Sequence, residues 1–278
     1  MSGMGPGFRR YLLASDFDQT LSFNDSGQIL SEMLGITDFN RRVRQLSAMN
    51  MVQQGGELAY MILHDSDFKQ VRVHHLREVG KKIRLKANIK KLYEILTSGI
   101  GGRIFEFFVI SAAPEEVIKS ALEDIVPPEH IFGTKFEYDP HSGEVLGIKR
   151  VSAGYGKVAV LNELKTERQI SQDHIVYVGD GSSDIHVMLD VNHHRGLTIA
   201  VSESRHIAHI ARRTVLSDDT LCVMVPILEE ILRFDSRQVM EFMEVNGMAV
   251  QEWSRGRTDW ITFQQDEPPI LGLGQNMI

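Results

Sequence analysis

One cysteine, Cys222, stands in 278 residues. An internal disulfide is therefore impossible, and the chain suits a reducing cytoplasm. Basic residues are in deficit: 30 Lys and Arg against 37 Asp and Glu leave a net charge of −7. A general nucleic-acid binder needs a basic footprint, so that class is set aside. Phosphate binding survives the deficit, because a metal ion and one or two local cations hold an anion on an acidic protein. No apolar run approaches the roughly eighteen residues of a membrane span, so no membrane partner is expected. Met1 to Gly7 is Gly-rich and lacks an apolar stretch, so no secretory signal is expected. Neither an internal repeat nor a long low-complexity tract is visible. What is present, 42% hydrophobic and 24% charged residues, suffices for one large domain or two modest ones.

Short apolar runs alternate with helical patterns. Tyr11 to Phe17 predicts a buried strand that ends in polar residues. Asn24-Asp25-Ser26-Gly27 breaks the chain. From Ser26 to about Lys86 the pattern is helical, with Ile29, Leu30, Met33 and Leu34 on one face and looser faces at 43–51, 58–62 and 71–83. A helix over 87–98 precedes a strong strand over 103–110, which ends in Ser111-Ala112-Ala113-Pro114. Pro114 suits the first turn of the next helix, which runs to about 125. Residues 131–138 and 144–151 predict a hairpin flap around a turn at 139–143. Gly154-Tyr155-Gly156-Lys157 opens a further helix. A short strand over 174–178 ends in Gly179-Asp180-Gly181-Ser182-Ser183-Asp184, and helix, strand (197–201) and helix (203–212) follow. Such alternation predicts an α/β fold, a parallel sheet with helices on both faces. From about 218 the pattern changes. Residues 219–232 and 236–245 are helix-like, 248–253 and 258–263 predict a hairpin, and a loose tail begins at Asp266.

Three polar clusters follow apolar strands at their carboxyl ends: Asp16 with Asp18, Ser111, and Asp180 with Asp184. Ligands of open parallel sheets bind at that edge. Lys157 begins a helix in the same alternation and can neutralise an anion there. Taken singly, each has an ordinary explanation as a turn residue, a helix cap or a surface lysine. Taken together, they supply carboxylates for a hard cation and a hydroxyl and a lysine for a phosphate. That set suits phosphoryl transfer, where positioning and charge neutralisation do most of the work. The pairs His193/His194 and His206/His209 have no further Cys or His at ligand spacing, so no structural metal is expected there.

Asp16-Phe17-Asp18-Gln19-Thr20-Leu21, Ser111, Lys157 and Gly179-Asp180-Gly181-Ser182-Ser183-Asp184 resemble, in order, the four motifs of the haloacid dehalogenase superfamily. The helical stretch after the first motif, and the segment from Gly143 through Lys157, resemble its phosphoserine phosphatase-like branch. The resemblance implies a Rossmann-like core over 8–23 and 87–217, a small helical cap over 24–86 and a C-terminal α+β extension over 218–278. It further implies that Asp16 attacks phosphorus and that Asp18 protonates the leaving oxygen and then activates water. Mg2+ would be held by Asp16, the Asp18 carbonyl and Asp180, with Asp184 in or near the shell behind them. Ser111, Ala112 and Lys157 would bind the phosphoryl group. The implied enzyme is a magnesium-dependent phosphomonoester hydrolase acting on a small metabolite; a catalytically idle binding or assembly protein is the other class, and a phosphoserine phosphatase is the alternative within the enzyme class.

The cap departs from the phosphoserine phosphatase pattern. Where that branch has a glutamate, this chain has Asp25. Near the place of its arginine the chain reads Tyr60-Met61-Ile62-Leu63-His64-Asp65. A free amino acid is therefore not the expected leaving group. Asp25, Gln53 and Glu57, with Asn50 and Gln54, are expected to line the cap side for a sugar-like, keto-enol or amino-alcohol phosphate. A homodimer contact through the C-terminal extension is a further expectation.

Overall fold

A computed structural model describes residues 8–50 and 52–248. The chain begins with β1 (Arg9–Ser15), followed by α1 (Ser26–Met33), α2 (Phe39–Ala48), α3 (Glu57–His64) and α4 (Val73–Lys82). Then come α5 (Ile89–Ser98), β2 (Arg103–Pro114), α6 (Glu115–Ala121), β3 (Ile131–Tyr138) and β4 (Val145–Arg150). The rest is α7 (Tyr155–Arg168), β5 (Ile175–Gly179), α8 (Ile185–His193), β6 (Leu197–Ala200), α9 (Arg205–Ile210), β7 (Arg213–Thr214), α10 (Met224–Glu230) and α11 (Ser236–Val245). The strands form one sheet in the order β4-β3-β2-β1-β5-β6-β7. Every neighbouring pair is parallel except the β3–β4 hairpin.

The period of two in the strands feeds two cores. Tyr11 and Leu13 of β1, Phe105, Phe107 and Val109 of β2, and Val176 and Val178 of β5 face one apolar cluster. Leu12 and Ala14, Phe108 and Ile110, and Ile175 and Tyr177 face the other, together with Leu161 of α7 and Met188 of α8. A strand apolar on both faces must sit inside a sheet covered on both sides. That places β1 between β2 and β5, so the ends of these three strands open at one edge.

Four helices, α1 to α4, leave the sheet after β1. The outgoing and returning chains pair at a neck, where Ser22 bridges Leu85 in antiparallel fashion. There Phe23 N–H donates to the Arg84 carbonyl and Lys86 N–H to the Leu21 carbonyl, each at 2.9 Å. The fourth helix returns to the core layer before the chain does. A Cβ on Gly80 of α4 would stand 2.4 Å from the Val117 carbonyl of α6, so only glycine permits this approach.

The boundaries differ from expectation in places. β2 runs on to Pro114 through an irregularity between Ile110 and Pro114, so Ser111 lies in the strand. Pro114 is extended (φ −56°, ψ 134°) and precedes α6 instead of joining its first turn. The stretch 219–232 divides into a 3-10 turn, Thr220–Val223, and α10. Pro226 falls in the first turn of α10, where its missing N–H is harmless. β7 is too short to read from periodicity. The described part of the C-terminal extension is helical. Its expected hairpin beyond Met248, the tail from Asp266, and Met51 lie outside the described residues. Among the described residues, no helix is long and apolar enough to cross a membrane.

Candidate active site

The first motif is aimed by its middle residue. Asp16 N–H still donates to the Val178 carbonyl of β5 at 2.8 Å, so Asp16 is held in line with the sheet. Phe17 is fully buried in the apolar core. Its carbonyl accepts the N–H groups of Thr20, Leu21 and Ser22, and Gln19 adopts a left-handed φ of 57°. Anchoring Phe17 in this tight turn leaves Asp16 and Asp18 facing one cavity. Asp18 Oδ1 accepts from Ser26 Oγ at the start of α1 (2.7 Å).

Lys157 is completely buried. Its Nζ lies 2.9 Å from Asp16 Oδ2 and 2.6 Å from Asp184 Oδ1. The first turn of α7 is pressed against the preceding chain: a Cβ on Gly156 would stand 2.0 Å from the Val151 carbonyl. That contact turns Lys157 inward. Asp184 accepts four donors. Lys157 and the Tyr177 hydroxyl (2.7 Å) share Oδ1; the N–H groups of Asp180 and Gly181 (3.1 Å each) share Oδ2. Asp180 Oδ1 accepts from Thr20 Oγ1 at 3.1 Å. Ser111 is buried, and its Oγ accepts from Ala113 N–H at 3.3 Å.

Asp16, Ser111, Ala112 and Asp180 line a cavity of about 290 Å³ with Asp18, Asp25 and Glu57. Asp25 caps α1, its Oδ1 accepting from Gln28 N–H at 2.9 Å. Glu57 is buried and accepts from Ser47 Oγ (2.7 Å) and Gly55 N–H (2.8 Å). Gln53 and Asn50 are not among the lining residues. A turn in which Gly56 N–H donates to the Gln53 carbonyl directs the Gln53 amide toward Gly154, and Gln54 lines the cavity in its place. Gly55 (φ 90°) brings this loop down onto the sheet edge. A Cβ there would stand 2.9 Å from Ser183 Cβ and 3.2 Å from Ala112 Cβ.

A family model for haloacid dehalogenase-like hydrolases matches residues 13–189, more than half of the chain. The chain belongs to this family. Among solved structures, a phosphoserine phosphatase in a phospho-aspartyl intermediate analogue form is similar at 19% identity and TM-score 0.60, over 81% of this chain and 98% of that one. A phosphoserine phosphohydrolase-like protein from Francisella tularensis matches at 18% identity and TM-score 0.58, over 78% and 99%. Gene product AF1437 from Archaeoglobus fulgidus matches at 12% identity and TM-score 0.66, over 91% and 94%. At such identities the likeness is one of fold. Among curated proteins, nothing matches.

In this haloacid dehalogenase-like hydrolase the carboxylates outnumber their cation. Ligand oxygens of Asp16, Asp180 and Asp184 lie within 4.8 Å of one another. Burial, then the charge of Asp184, pushes Asp16 up to about 6 despite Lys157. Burial, then Asp16 and Asp184, pushes Asp180 up to about 8. These are the marks of negative charge that one lysine leaves uncompensated. An all-oxygen donor set of this kind fits a hard divalent cation. Asp184, with all four lone-pair positions taken by donors, organises the cluster, whereas Asp16 takes Phe17 N–H on Oδ1 (2.7 Å) and Lys157 on Oδ2, and Asp180 takes Thr20 Oγ1 on Oδ1.

Sequence reasoning missed Tyr177 and Thr20, which touch the carboxylates, and Phe39, Asn40 and Ser47, which line the cavity. Tyr177 sits in an apolar run and carries no sign of its partner. Thr20 lies within the first motif and was legible from that position.

Proposed function

We propose that the chain is a magnesium-dependent phosphomonoester hydrolase that turns over a small metabolite through an aspartyl-phosphate on Asp16. The observation that carries this reading is the buried Lys157 ammonium bridging Asp16 and Asp184, with Asp16 in turn sharing with Asp18 and Ser111 the wall of a cavity that Lys157 itself does not line. Asp16, the Asp18 carbonyl and Asp180 would hold the cation. When bound, Mg2+ screens the carboxylates from the anionic ester and neutralises charge on the transferring group.

Lys157, Ser111 Oγ and the backbone around Ala112 position the phosphoryl oxygens. An Asp16 oxygen attacks phosphorus, a new P–O bond forms, and the ester P–O bond breaks. Asp18 gives its proton to the leaving oxygen, so the alcohol departs neutral. Burial, then the Asp25 charge, holds Asp18 well above the usual carboxylate range, which favours its protonated form. The Asp18 carboxylate then takes a proton from water, which attacks phosphorus. The Asp16–P bond breaks and inorganic phosphate leaves. In this reading residues 24–86, with α1 to α4, form a cap over the phosphate end, and the protein works in the cytoplasm.

The test is hydrolysis of p-nitrophenyl phosphate with Mg2+ or with chelator. Turnover should need the metal, and Asp16→Asn should lower kcat/KM by at least about 10³-fold. Undiminished activity in chelator, or in Asp16→Asn, overturns the reading. Absence of any turnover in the wild type favours the idle binding protein.

A further inference from the structure

Part of the cavity lining comes from α1 to α3 and not from the sheet edge. Beyond the phosphate-facing residues, the lining includes Asp25 at the start of α1, Phe39 and Val43 of α2, and Glu57 and Leu58 of α3. Among the described residues, no Lys, Arg or His lines the cavity. The donors that reach these two acids are neutral: Gln28 and Gly27 N–H on Asp25, and Ser47 Oγ and Gly55 N–H on Glu57. They fix the direction of the carboxylates without supplying charge. The nearby guanidinium of Arg42 is committed to Asp38, Asp65 and Asp67. Glu57 lies in the field of Asp25 and raises its proton affinity, after the larger effect of burial. Two acids in one partly desolvated pocket without a counter-charge are costly, and a bound cation removes that cost.

We propose that the substrate is an amino-alcohol phosphomonoester, with an ammonium and no carboxylate on its leaving group. This rests on the hydrolase reading above and goes beyond it to the substrate class. The ammonium sits between Asp25 and Glu57. Phe39, whose ring packs against Gly27 so closely that a Cβ there would stand 2.3 Å from it, presents a fixed aromatic wall. Such a ring favours a cation, and Val43 and Leu58 pack on the carbon chain. A leaving group with a carboxylate would bring a third anion against two others with no arginine to receive it.

The experiment compares kcat/KM for O-phosphoethanolamine, its neutral match 2-hydroxyethyl phosphate, and O-phosphoserine, all with Mg2+. The ammonium ester should be preferred over the neutral one by about 10- to 100-fold, the value of a charge-assisted hydrogen bond. Phosphoserine should fall below phosphoethanolamine. In Asp25→Asn/Glu57→Gln the preference over the neutral ester should shrink to within about 3-fold. Calorimetric titration of Asp16→Asn with the three esters gives the same ranking without turnover. If the neutral ester or phosphoserine matches phosphoethanolamine, the substrate proposal falls and the hydrolase reading stands. If calorimetry ranks the ammonium ester first but no ester is hydrolysed, the hydrolase reading falls and the ammonium site stands.

Discussion

Replacing Tyr177 by Phe removes one oxygen and keeps the ring, so it isolates a single hydrogen bond. The Tyr177 side chain is fully buried on β5, and its hydroxyl donates to Asp184 Oδ1 at 2.7 Å. Burial and the surrounding acids hold the phenol well above its usual range, so it donates at every accessible pH. Asp184 is also fully buried, with no water to replace a lost donor. The ring packing survives, so the apolar term is close to zero. What remains is one hydrogen bond to a charged acceptor in a dry site, worth about 1.5–3 kcal/mol. Urea unfolding should show that loss in the midpoint at unchanged m-value. Activity should fall as well. Lys157 stands 2.6 Å from Asp184 and 2.9 Å from Asp16, and a less satisfied Asp184 draws it further from Asp16. A drop in kcat of about 10-fold is expected, with KM little changed. Asp184→Asn is the partner variant: it breaks a buried ion pair and should cost about 3–5 kcal/mol. In that background Tyr177→Phe should cost about 1 kcal/mol less than it does in the wild type, because the acceptor is no longer charged. The reasoning fails if Tyr177→Phe costs under about 0.5 kcal/mol, or if its cost is the same in both backgrounds.

Two further outcomes follow from the same geometry. Asp16 and Asp180 titrate near 6 and 8 in the fold, against an ordinary 3.8. The folded state therefore binds protons more tightly, and this stabilisation, complete below about pH 4, is lost as pH rises through 6 to 8. Metal-free protein should melt lower at pH 8 than at pH 5, and excess Mg2+ should raise the melting temperature more at pH 8; equal metal shifts at both would refute the argument. Where α4 packs on α6, Gly80→Ala should destabilise by about 1–3 kcal/mol in urea, because the new Cβ meets the Val117 carbonyl. A gain in stability, as helix propensity alone predicts, would show that α4 shifts freely on α6.

Much of the architecture was readable because strand and helix periods are local properties. β1, β2 and β5 each carry apolar residues on both faces, and each ends in the polar cluster that marks the sheet edge. The flap of β3 and β4 was equally plain from its turn. Contacts across long stretches of chain were not. A lysine at the start of a helix looks like any surface lysine until Gly156 is seen pressed on Val151. Tyr177 looks like core until Asp184 is found beside its hydroxyl. Gln53 and Gln54 are chemically alike, and only the turn at Gly55 and Gly56 decides which of them meets the cavity.

The bond from Ser26 Oγ to Asp18 Oδ1 joins a residue of α1 to the carboxylate assigned to proton transfer. Ser26 lies beyond the paired chains at Ser22 and Leu85, and Asp18 lies before them. Any swing of α1 about that joint parts the two oxygens. In the proposed reaction this one hydroxyl would couple the placement of α1 to the aim of the acid: without it the Asp18 carboxyl would be free to turn and would hold its proton more tightly.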